Sequence, residues 1–486
     1  MIRFRSFFPI AAVLAALPLT TAGANTQQPP QPQSSQPVCA ECLAVRIGPP
    51  KVARGPSGME SDAPFVVIKL RDGRFRGFTS NHRTYAIDGN SPVDMAGEKR
   101  VVLQPGRKGT LSDCGNWLTG IVPDGDKLIG LIHGESTCDY DKNQTHKAMA
   151  IATSTDEGLN WTILGAAITG PDKATPGKLT GEGDCTLADG HDTFLYTYCL
   201  RASDWKITAA RAPKSNPAPG QWMKWDGSGW RIPALDKAGA PLAGFPGHSA
   251  AFYAPRKLML LLAVDKSLKL SFAADKAHFT PLAAPLIIYE TDEWRRPAPD
   301  ALYTYPSLVG ENGTNTIGER GWLTYAYVPP NEDFTQRYLV VHEISLIAHA
   351  TPQTPQVRAA LSRYKSSAGR LWSTIAPAIE KRPNTFTHEK VLGDVMTAPP
   401  AAPSEKLEEC VRDTSGALDY RITNGTCETP YKRQRSAGYI YREAQPDTLP
   451  LFACVARQGL FHFTSTEENC EGLGTNEKRL GYVLKP

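Results

Sequence analysis

One strand pattern occurs five times before residue 350 of this 486-residue chain. Each copy contains an apolar run, a turn, a second apolar run and, after a further turn, a third run. The runs are short and rich in aromatic and β-branched residues, which is typical of β-strands. The copies start 51, 71, 64 and 57 residues apart, at Asp62, Asp113, Asp184, His248 and Tyr305. Units of three or four strands at this spacing predict an all-β fold, a five-bladed β-propeller over residues 45–347, in which each blade covers its neighbour's apolar face.

Residues 1–24 have the features of a cleaved secretory signal peptide. Arg3 and Arg5 precede the apolar run FFPIAAVLAALPL, and Ala22-Gly23-Ala24 is a small-residue cleavage site. Residues 25–44 are predicted to form a disordered leader, which begins rich in Gln and Pro. No later run approaches the roughly 18 apolar residues needed to span a bilayer. We therefore expect a soluble protein that is secreted, to the extracellular medium or the periplasm, without insertion into a membrane.

Disulfides are the expected use of the ten cysteines, because their number is even and the chain carries a secretory signal. Cys114 begins the first strand of the second copy and Cys138 follows its second strand. Cys185 and Cys199 occupy the same two places in the third copy. These ends of an antiparallel hairpin are neighbours, so the pairs Cys114–Cys138 and Cys185–Cys199 are predicted. The agreement favours a propeller over the alternative, an irregular β-sandwich.

Residues 348–486 contain a different repeat, of three copies. Gly393, Gly438 and Gly481 mark the same place in each copy, 45 and 43 residues apart. Three units of roughly 44 residues predict a β-trefoil-like domain. The copies also resemble the short Tyr/Phe-rich repeats appended to secreted bacterial hydrolases, which implies a carbohydrate-binding accessory. A purely structural tail is the alternative.

The second and third copies of this tail each contain two cysteines, 17 and 16 residues apart, and a Glu follows the second cysteine of each. One disulfide is expected within each copy. The predicted pairs are Cys410–Cys427 and Cys454–Cys470. Cys39 and Cys42 are predicted to form a fifth pair, although a metal site or redox chemistry is the alternative for Cys-Ala-Glu-Cys.

The segment STDEGLNW, from Ser154 to Trp161, matches the pattern Ser-x-Asp-x-Gly-x-x-Trp. It resembles the Asp box of sialidase-like propellers. In that family the motif is a turn at a blade edge, which implies that Asp156 binds backbone amides and that Trp161 packs between sheets. The sialidase arginine triad and Tyr/Glu nucleophile pair have no clear counterpart in the sequence. The resemblance therefore indicates a fold rather than a chemistry.

A propeller places the first strand of every blade around its central axis, so residues at the starts of these strands converge on one pocket. These residues are Asp62, Asp113, Glu182, Asp184, His248 and Tyr305. Crowding raises the pKa of at least one carboxyl group. Glycoside hydrolysis needs that asymmetry, because one carboxylic acid protonates the leaving oxygen while a carboxylate activates water or attacks carbon. The alternative for each Asp is a turn residue that binds backbone amides.

The order of these acids resembles that of the five-bladed propeller glycosidases of glycoside hydrolase family 43. That family uses a base Asp in blade one, a pKa-setting Asp in blade two and an acid Glu in blade three. The segments SDAPFVV, LSDCGNW and GEGDC supply Asp62, Asp113 and Glu182 for these roles. The chain departs from the family at Asp184, where proline is frequent. Glu182 and Asp184 should share a face of a regular strand, which would make Asp184 the electrostatic neighbour of the acid.

Further polar residues are predicted to bind sugar hydroxyls or a substrate carboxylate at the pocket. They are Asp184, His133, Glu135, Arg201, Asp204, His248 and Tyr305. They support a second interpretation, a polysaccharide lyase, in which an Arg or a metal neutralises a uronate and His133 or Tyr140 abstracts the adjacent proton. A non-catalytic secreted lectin or adhesin is a third interpretation.

The sequence thus predicts a secreted carbohydrate-active protein, first of all a glycoside hydrolase, whose partner is an oligo- or polysaccharide. The formal net charge is only +4 and no long basic run occurs, which argues against nucleic acid as a partner. This chemistry requires no cofactor, and calcium on the propeller axis is an open alternative.

Overall fold

The computed structural model describes residues 38–486, apart from residues 59, 292, 381–385, 415, 458 and 460. The regular structure in these ranges is nearly all β-strand, interrupted by a few 3₁₀ turns, which confirms the all-β prediction. No helix within them is long and apolar enough to cross a membrane. The predicted signal peptide and residues 25–37 of the predicted leader lie outside the described residues.

Two short strands come first, β1 (Leu43–Ile47) and β2 (Lys51–Arg54), and five successive groups of strands follow. The second and third groups form one nine-stranded sheet, because their strands Gln144–Ser154 and Leu179–Asp189 pair in parallel. The first group contains β3 (Val66–Lys69), β4 (Phe75–Asn81), β5 (Arg83–Gly89) and β6 (Arg100–Leu103). The second contains β7 (Gly115–Asp124), β8 (Lys127–Asp139), β9 (Gln144–Ser154) and β10 (Thr162–Thr169). The third contains β11 (Leu179–Asp189), β12 (Phe194–Arg201), β13 (Lys206–Pro213), β14 (Met223–Trp225) and β15 (Trp230–Pro233).

The fourth group contains β16 (Ser249–Tyr253), β17 (Leu258–Val264), β18 (Ser267–Ala273), β19 (Thr280–Pro281) and β20 (Ile287–Ile288). The fifth contains β21 (Leu302–Gly310), β23 (Arg320–Val328) and β24 (Tyr338–Ala348). The short strand β22 (Thr316–Ile317) lies between β21 and β23 in sequence and pairs with β16, so it links the fourth and fifth groups.

The first strands of the five groups form a closed ring. Contacts join β3 to β7, β7 to β11, β11 to β16, β16 to β21, and β21 back to β3. A narrow cavity lies between these strands, and all five contribute to its lining, with residues that include Val67, Thr119, Thr186, Ala250 and Ser307. The order of the copies along the sequence is therefore also their order around the ring.

Apolar side chains fill the space between neighbouring sheets. Phe78 of β4 and Leu118 of β7 belong to one buried cluster. Trp161 packs edge-to-face on Phe78, with ring centroids 6.3 Å apart. The carboxylate of Asp156 accepts a hydrogen bond from the backbone N–H of Asn160. These contacts match those predicted for the segment STDEGLNW.

Strand β1 joins the fifth group to the C-terminal region. It pairs antiparallel with β24, where Leu43 lies opposite Ala348, and parallel with β25 (Val357–Ser366). One continuous sheet therefore crosses the predicted domain boundary between residues 347 and 348. The predicted leader, residues 25–44, extends too far, because the Cys39–Cys42 disulfide and the start of β1 lie within it. Pairing with strands on both sides supplies the backbone hydrogen bonds that order β1.

The C-terminal region contains three copies of a three-strand unit. The first contains β25, β26 (Leu371–Thr374) and β27 (Phe386–Met396), and the second contains β28 (Ser404–Thr414), β29 (Ala417–Asn424) and β30 (Lys432–Tyr441). The third contains β31 (Thr448–Ala456), β32 (His462–Ser465) and β33 (Gly474–Leu484). In each copy the first strand pairs with the other two, and the third strands β27, β30 and β33 pair with one another.

The repeated glycines lie where these copies meet. A Cβ atom would lie 2.4 Å from Val483 at Gly393, 2.8 Å from Val395 at Gly438 and 2.7 Å from Ile440 at Gly481. No side chain with a Cβ fits at such distances, and glycine alone has none. Each copy thus approaches another in cyclic order, which explains why the glycines recur at a fixed spacing in the sequence.

All ten cysteines form disulfides, and the pairs are those predicted. They are Cys39–Cys42, Cys114–Cys138, Cys185–Cys199, Cys410–Cys427 and Cys454–Cys470. The first C-terminal copy contains no cysteine. Its buried Arg363 instead pairs with Glu389 at 2.6 Å and with Glu471 at 2.8 Å. Since Glu471 directly follows Cys470, the Cys-Glu motif of the third copy anchors the first copy.

Replacing Glu471 by glutamine should lower the free energy of unfolding by about 1–3 kcal/mol at pH 7, because a charged hydrogen-bond partner of buried Arg363 is lost. Burial raises the pKa of Glu471, but Arg363, Lys390 and Ser465 lower it to about 2, from an ordinary 4.5. The contribution of ionised Glu471 to the free energy of unfolding is therefore complete above pH 4.5 and is lost as the pH falls towards 2. Urea unfolding of both proteins at pH 7 and pH 3 should show a smaller difference at pH 3. A difference that is independent of pH would contradict a role for the charge.

Candidate active site

Carboxyl groups from the first three strand groups converge on one cluster. Asp62 precedes β3, Glu135 lies near the end of β8, and Asp184 lies in β11. His133 Nε2 connects two of them, since it is 3.2 Å from Glu135 Oε1 and 3.7 Å from Asp184 Oδ1. Burial raises the pKa of Asp62, and the nearby charge of Glu135 raises it further. We call Asp62, Glu135 and Asp184 the acidic cluster.

A bulge in β11 directs Asp184 to this cluster. The pairing of β11 with β12 shifts register between Gly183 and Thr186, and Asp184 has a φ of 51°. A bulge interrupts the regular alternation of side chains along a strand. Tyr305 has the same φ at an equivalent register shift in β21. The same backbone feature thus occurs in the first strands of the third and fifth groups.

The bulge separates Glu182 from Asp184, so the regular strand on which their expected shared face depends is interrupted here. Glu182 is fully buried, and its Oε2 lies 2.9 Å from Lys224 Nζ and 3.1 Å from Thr208 Oγ1. Burial raises the pKa of Glu182 and lowers that of Lys224, and their contact opposes both shifts. Lys224 Nζ also donates to the carbonyl oxygens of Thr169 and Lys237, which satisfies its three donors. Glu182 therefore belongs to a buried ion pair and not to the acidic cluster.

His133 is buried with a defined tautomer. Its Nδ1 accepts a 3.0 Å hydrogen bond from the backbone N–H of Asp184. The neutral ring then carries its proton on Nε2, which donates to Glu135. Gly183 makes this contact possible, because a Cβ atom there would lie 2.5 Å from the His133 ring. His133 and Glu135 were expected at the pocket, and both are buried, Glu135 as a member of the acidic cluster and His133 beside two of its carboxylates.

Lys147 holds two members of the acidic cluster in the ionised state. Its Nζ is 2.5 Å from Asp184 Oδ2 and 3.8 Å from Glu135 Oε1. Burial raises the pKa of both carboxyl groups, but the opposing effect of Lys147 and His133 is larger. The pKa of Glu135 is therefore below its ordinary value, and that of Asp184 is well below its ordinary value. Burial lowers the pKa of Lys147, but the two carboxylates raise it above its ordinary value. Asp184 and Glu135 are therefore carboxylates beside an ammonium group.

Asp62 has the opposite electrostatic character. Its Oδ1 lies 2.9 Å from Arg337 Nη2 and accepts a 3.3 Å hydrogen bond from the Tyr305 hydroxyl. Burial raises the pKa of Asp62, and the charge of Glu135 raises it further. Arg337 and Tyr305 lower it without cancelling the increase. The protonated form is therefore favoured at Asp62 more than at either of the other two carboxyl groups.

Tyr140 contacts the cluster from the 3₁₀ turn Tyr140–Lys142. Its hydroxyl donates a 2.7 Å hydrogen bond to Glu135 Oε2. Tyr140 and Glu135 are thus paired, but Tyr140 lies in a turn and not on a strand. Burial and the charge of Glu135 both raise the pKa of Tyr140, so its hydroxyl stays protonated. The pair is suited to positioning Glu135 rather than to nucleophilic attack by Tyr140.

His248, directly before β16, lies next to Asp184. Burial lowers the pKa of His248 while the charge of Asp184 opposes this shift, so the imidazole is neutral at pH 7. In the described part of the chain, its buried Nδ1 has no hydrogen-bond partner. A neutral ring nitrogen beside a carboxylate suits a polar ligand such as a sugar hydroxyl.

Three other predicted site residues do not join the cluster. Asp113 accepts hydrogen bonds from the backbone N–H groups of Gly109, at 2.9 Å, and Thr137, at 3.3 Å. It thus behaves as the turn residue of the alternative interpretation. Arg201 pairs with Asp204 at 2.6 Å and donates to the Gly239 carbonyl. These two side chains satisfy each other at the turn between β12 and β13.

Sequence reasoning missed Lys147 and Arg337, which supply the two cations beside the acidic cluster. A signal was present, because a basic residue begins the third run in several of the five copies, as in KAMAIATS from Lys147 and RYLVVHEIS from Arg337. Nothing in that pattern distinguishes these two from Lys206, which begins β13 at an exposed position. Only the arrangement of the groups around the ring brings Lys147 and Arg337 to the carboxylates.

The acidic cluster does not fit a calcium ion. Its oxygens already contact Lys147, His133, Arg337 and Tyr140, whereas calcium takes six to eight oxygen ligands. Over residues 38–486, with the gaps given above, no group of three or more His, Cys, Asp or Glu side chains has a geometry that could hold a metal ion.

No protein-family model matches the chain, and no curated protein matches it. Among solved structures, the catalytic domain of a GH62 α-L-arabinofuranosidase from Coprinopsis cinerea is 12% identical, with a TM-score of 0.38, over 63% of this chain and 98% of that one. A family 117 glycoside hydrolase from Zobellia galactanivorans is 10% identical, with a TM-score of 0.42, over 65% of this chain and 94% of that one.

A sucrose-6-phosphate hydrolase from Lactobacillus gasseri is 12% identical, with a TM-score of 0.37, over 90% of this chain and 89% of that one. All three TM-scores lie below 0.5, so these likenesses do not identify an activity for this chain.

Proposed function

We propose that this protein is a carbohydrate-active enzyme, a glycoside hydrolase, in which Asp62 is the general acid and Asp184 the ionised carboxylate. One observation carries the proposal. Three carboxyl groups from three successive strand groups converge, and their surroundings push the pKa of Asp62 up and that of Asp184 down. Hydrolysis of a glycosidic bond needs such a pair, one group protonated and the other ionised.

In this mechanism, Asp62 donates its proton to the glycosidic oxygen as the bond breaks. Asp184, kept ionised by Lys147, either activates a water molecule or attacks the anomeric carbon. Two carboxyl groups roughly 6.5–9.5 Å apart would indicate the first route and about 5–5.5 Å the second. This assignment differs from the one expected from the sequence, in which Asp62 was the base and Glu182 the acid: Asp62 is now the acid, Asp184 is the carboxylate, and Glu182 has no catalytic role.

Glu135 takes the pKa-setting role that the sequence analysis gave to Asp113. Replacing Glu135 by glutamine removes a negative charge beside Asp62, so the pKa of Asp62 should fall. The alkaline limb of the kcat/KM profile, which reports the general acid of the free enzyme, should move about one pH unit lower. Asp113→Asn is the matched control and should leave the limb in place. An unmoved limb in Glu135→Gln, or a shifted one in Asp113→Asn, would refute this role.

The proposed activity is tested by incubating the protein with plant, algal and microbial polysaccharides. New reducing ends and the absorbance of unsaturated uronates are measured in parallel, with Asp62→Asn as control. Reducing ends without the absorbance, and absent from the control, are expected. The appearance of the absorbance would establish a lyase instead. Binding of a polymer without either signal would establish a lectin or adhesin.

The lyase is retained as a second candidate because Arg337 and the Tyr305 hydroxyl contact the same oxygen of Asp62. A uronate elimination uses a cation for the substrate carboxylate and a nearby hydroxyl or imidazole as base. Against it stands the fact that Lys147 and Arg337 are both already paired with carboxyl groups of the cluster.

The proposal extends to the architecture and location of the protein. The closed ring of first strands supports five propeller blades, and the cyclic approach of the three C-terminal copies supports a β-trefoil-like region. Five disulfides support an oxidising compartment outside the cytosol.

The exported protein is expected to begin at residue 25, which N-terminal sequencing would establish. Activity is expected to survive chelation, and its loss would support calcium on the propeller axis.

A further inference from the structure

An exposed tryptophan lies next to the acidic cluster. Trp294, in the segment between β20 and β21, leaves 47% of its surface accessible to solvent. Its ring nevertheless contacts Tyr305, with centroids 6.0 Å apart, and Phe334, with centroids 5.9 Å apart. The Tyr305 hydroxyl donates to Asp62. A single side chain therefore separates Trp294 from the proposed general acid.

Phe334 provides a second connection between Trp294 and Asp62. The guanidinium of Arg337 lies over the Phe334 ring, 4.7 Å from its centroid, and the same guanidinium pairs with Asp62. Trp294 is thus held by Tyr305 and Phe334, and each of these is tied to Asp62. An aromatic side chain that is already held in place loses little conformational entropy when a ligand covers it.

We propose that Trp294, supported by Phe334, is a stacking platform for the sugar unit adjacent to the one held at the acidic cluster. A sugar ring exposes C–H groups on its faces, and these pack on the electron-rich face of an indole ring while the hydroxyls remain solvated at the edge. The platform rests on the proposed function and specifies its substrate class. The substrate is an oligo- or polysaccharide of at least two sugar units rather than a monosaccharide derivative.

Binding is tested separately from turnover, in full-length protein that carries Asp184→Asn to prevent hydrolysis. Affinity electrophoresis in gels containing arabinan, xylan, mannan, β-glucan or alginate identifies the polymers that retard the protein. Adding Trp294→Ala should raise the dissociation constant for a polymer that retards the protein by roughly 5- to 30-fold, the range for removing one central aromatic contact. Trp205→Ala is the matched control, because Trp205 is 59% exposed and has no aromatic-ring contact in the described part of the chain.

Three results would each overturn the platform. They are an unchanged dissociation constant in Trp294→Ala, an equal loss of affinity in Trp205→Ala, and a protein that none of the five polymers retards. Kinetics of the active protein separate this outcome from the proposed function. Trp294→Ala should lower kcat/KM more on oligosaccharides than on methyl monosaccharides, which have no second ring to cover the platform. If Trp294→Ala weakens binding but the parent protein cleaves no glycan, the hydrolase is refuted and the platform stands. If the parent protein cleaves glycans and Trp294→Ala does not change this cleavage, the platform is refuted and the hydrolase stands.

Discussion

An Asp62→Asn variant should lose about 100- to 10,000-fold in kcat on the polysaccharide identified as substrate, the usual cost of losing general acid assistance. The amide preserves the shape of the side chain but has no proton to donate to the leaving oxygen. The loss should shrink on dinitrophenyl glycosides, whose leaving group departs without protonation. Circular dichroism and the thermal midpoint should confirm that the variant folds, because the Arg337 contact is weakened but not sterically disturbed.

Asp184→Asn is the matched comparison for the two roles. It should also lose activity, but equally on polysaccharide and on dinitrophenyl glycosides, because the carboxylate acts on water or carbon whatever the leaving group. If Asp62→Asn instead loses activity equally on both kinds of substrate, Asp62 is the base, as the resemblance to family 43 implied. The proton donor would then have to be another group of the cluster.

A Glu182→Leu variant should lose about 3–5 kcal/mol of its free energy of unfolding, because the ammonium of Lys224 is left buried without its counter-charge. Lys224 is 1% exposed and Glu182 0% exposed at the side chain. Urea unfolding measures the change. Glu182→Leu combined with Lys224→Met should recover part of this loss, since the unpaired charge is removed while the Thr169 and Lys237 carbonyls still lack their donor.

Glu182→Gln distinguishes this structural role from the catalytic one. An amide still fills the site, so the variant should be destabilised and its remaining folded fraction should keep the pH profile of the parent. A Glu182→Gln protein as stable as the parent but without turnover would restore Glu182 as the general acid.

Most of the architecture was predictable because it depends on local patterns. Alternating apolar runs and turns identified the five copies, and equivalent positions of Cys114 with Cys138 and of Cys185 with Cys199 identified disulfides that the structure contains. The strand β1 was not predictable in this way. Its partners are β24 and β25, which lie some three hundred residues later in the chain, and no local pattern reports a partner at that distance.

The candidate site was predictable only in part. The starts of strands pointed to Asp62, Asp184, His248 and Tyr305, and the hairpin end pointed to His133 and Glu135. Glu182 was expected as the acid because GEGDC resembles the family 43 motif, and only its shared face with Asp184 assumed a regular strand, which the bulge after Gly183 interrupts. A bulge depends on how a strand meets its neighbours, so two residues that looked equivalent in GEGDC have opposite surroundings.

The sequence by itself determined the number and spacing of the strand copies, the disulfide pairs and the supply of carboxyl groups near the starts of strands, because periodicity and residue spacing are local properties. The tertiary structure decided which carboxyl groups meet and what charge each carries. Lys147 approaches Asp184, Lys224 approaches Glu182 and Arg337 approaches Asp62. The protonation state of a carboxyl group depends on its burial and on the charges within a few ångströms, and those neighbours come from strands that are distant in sequence.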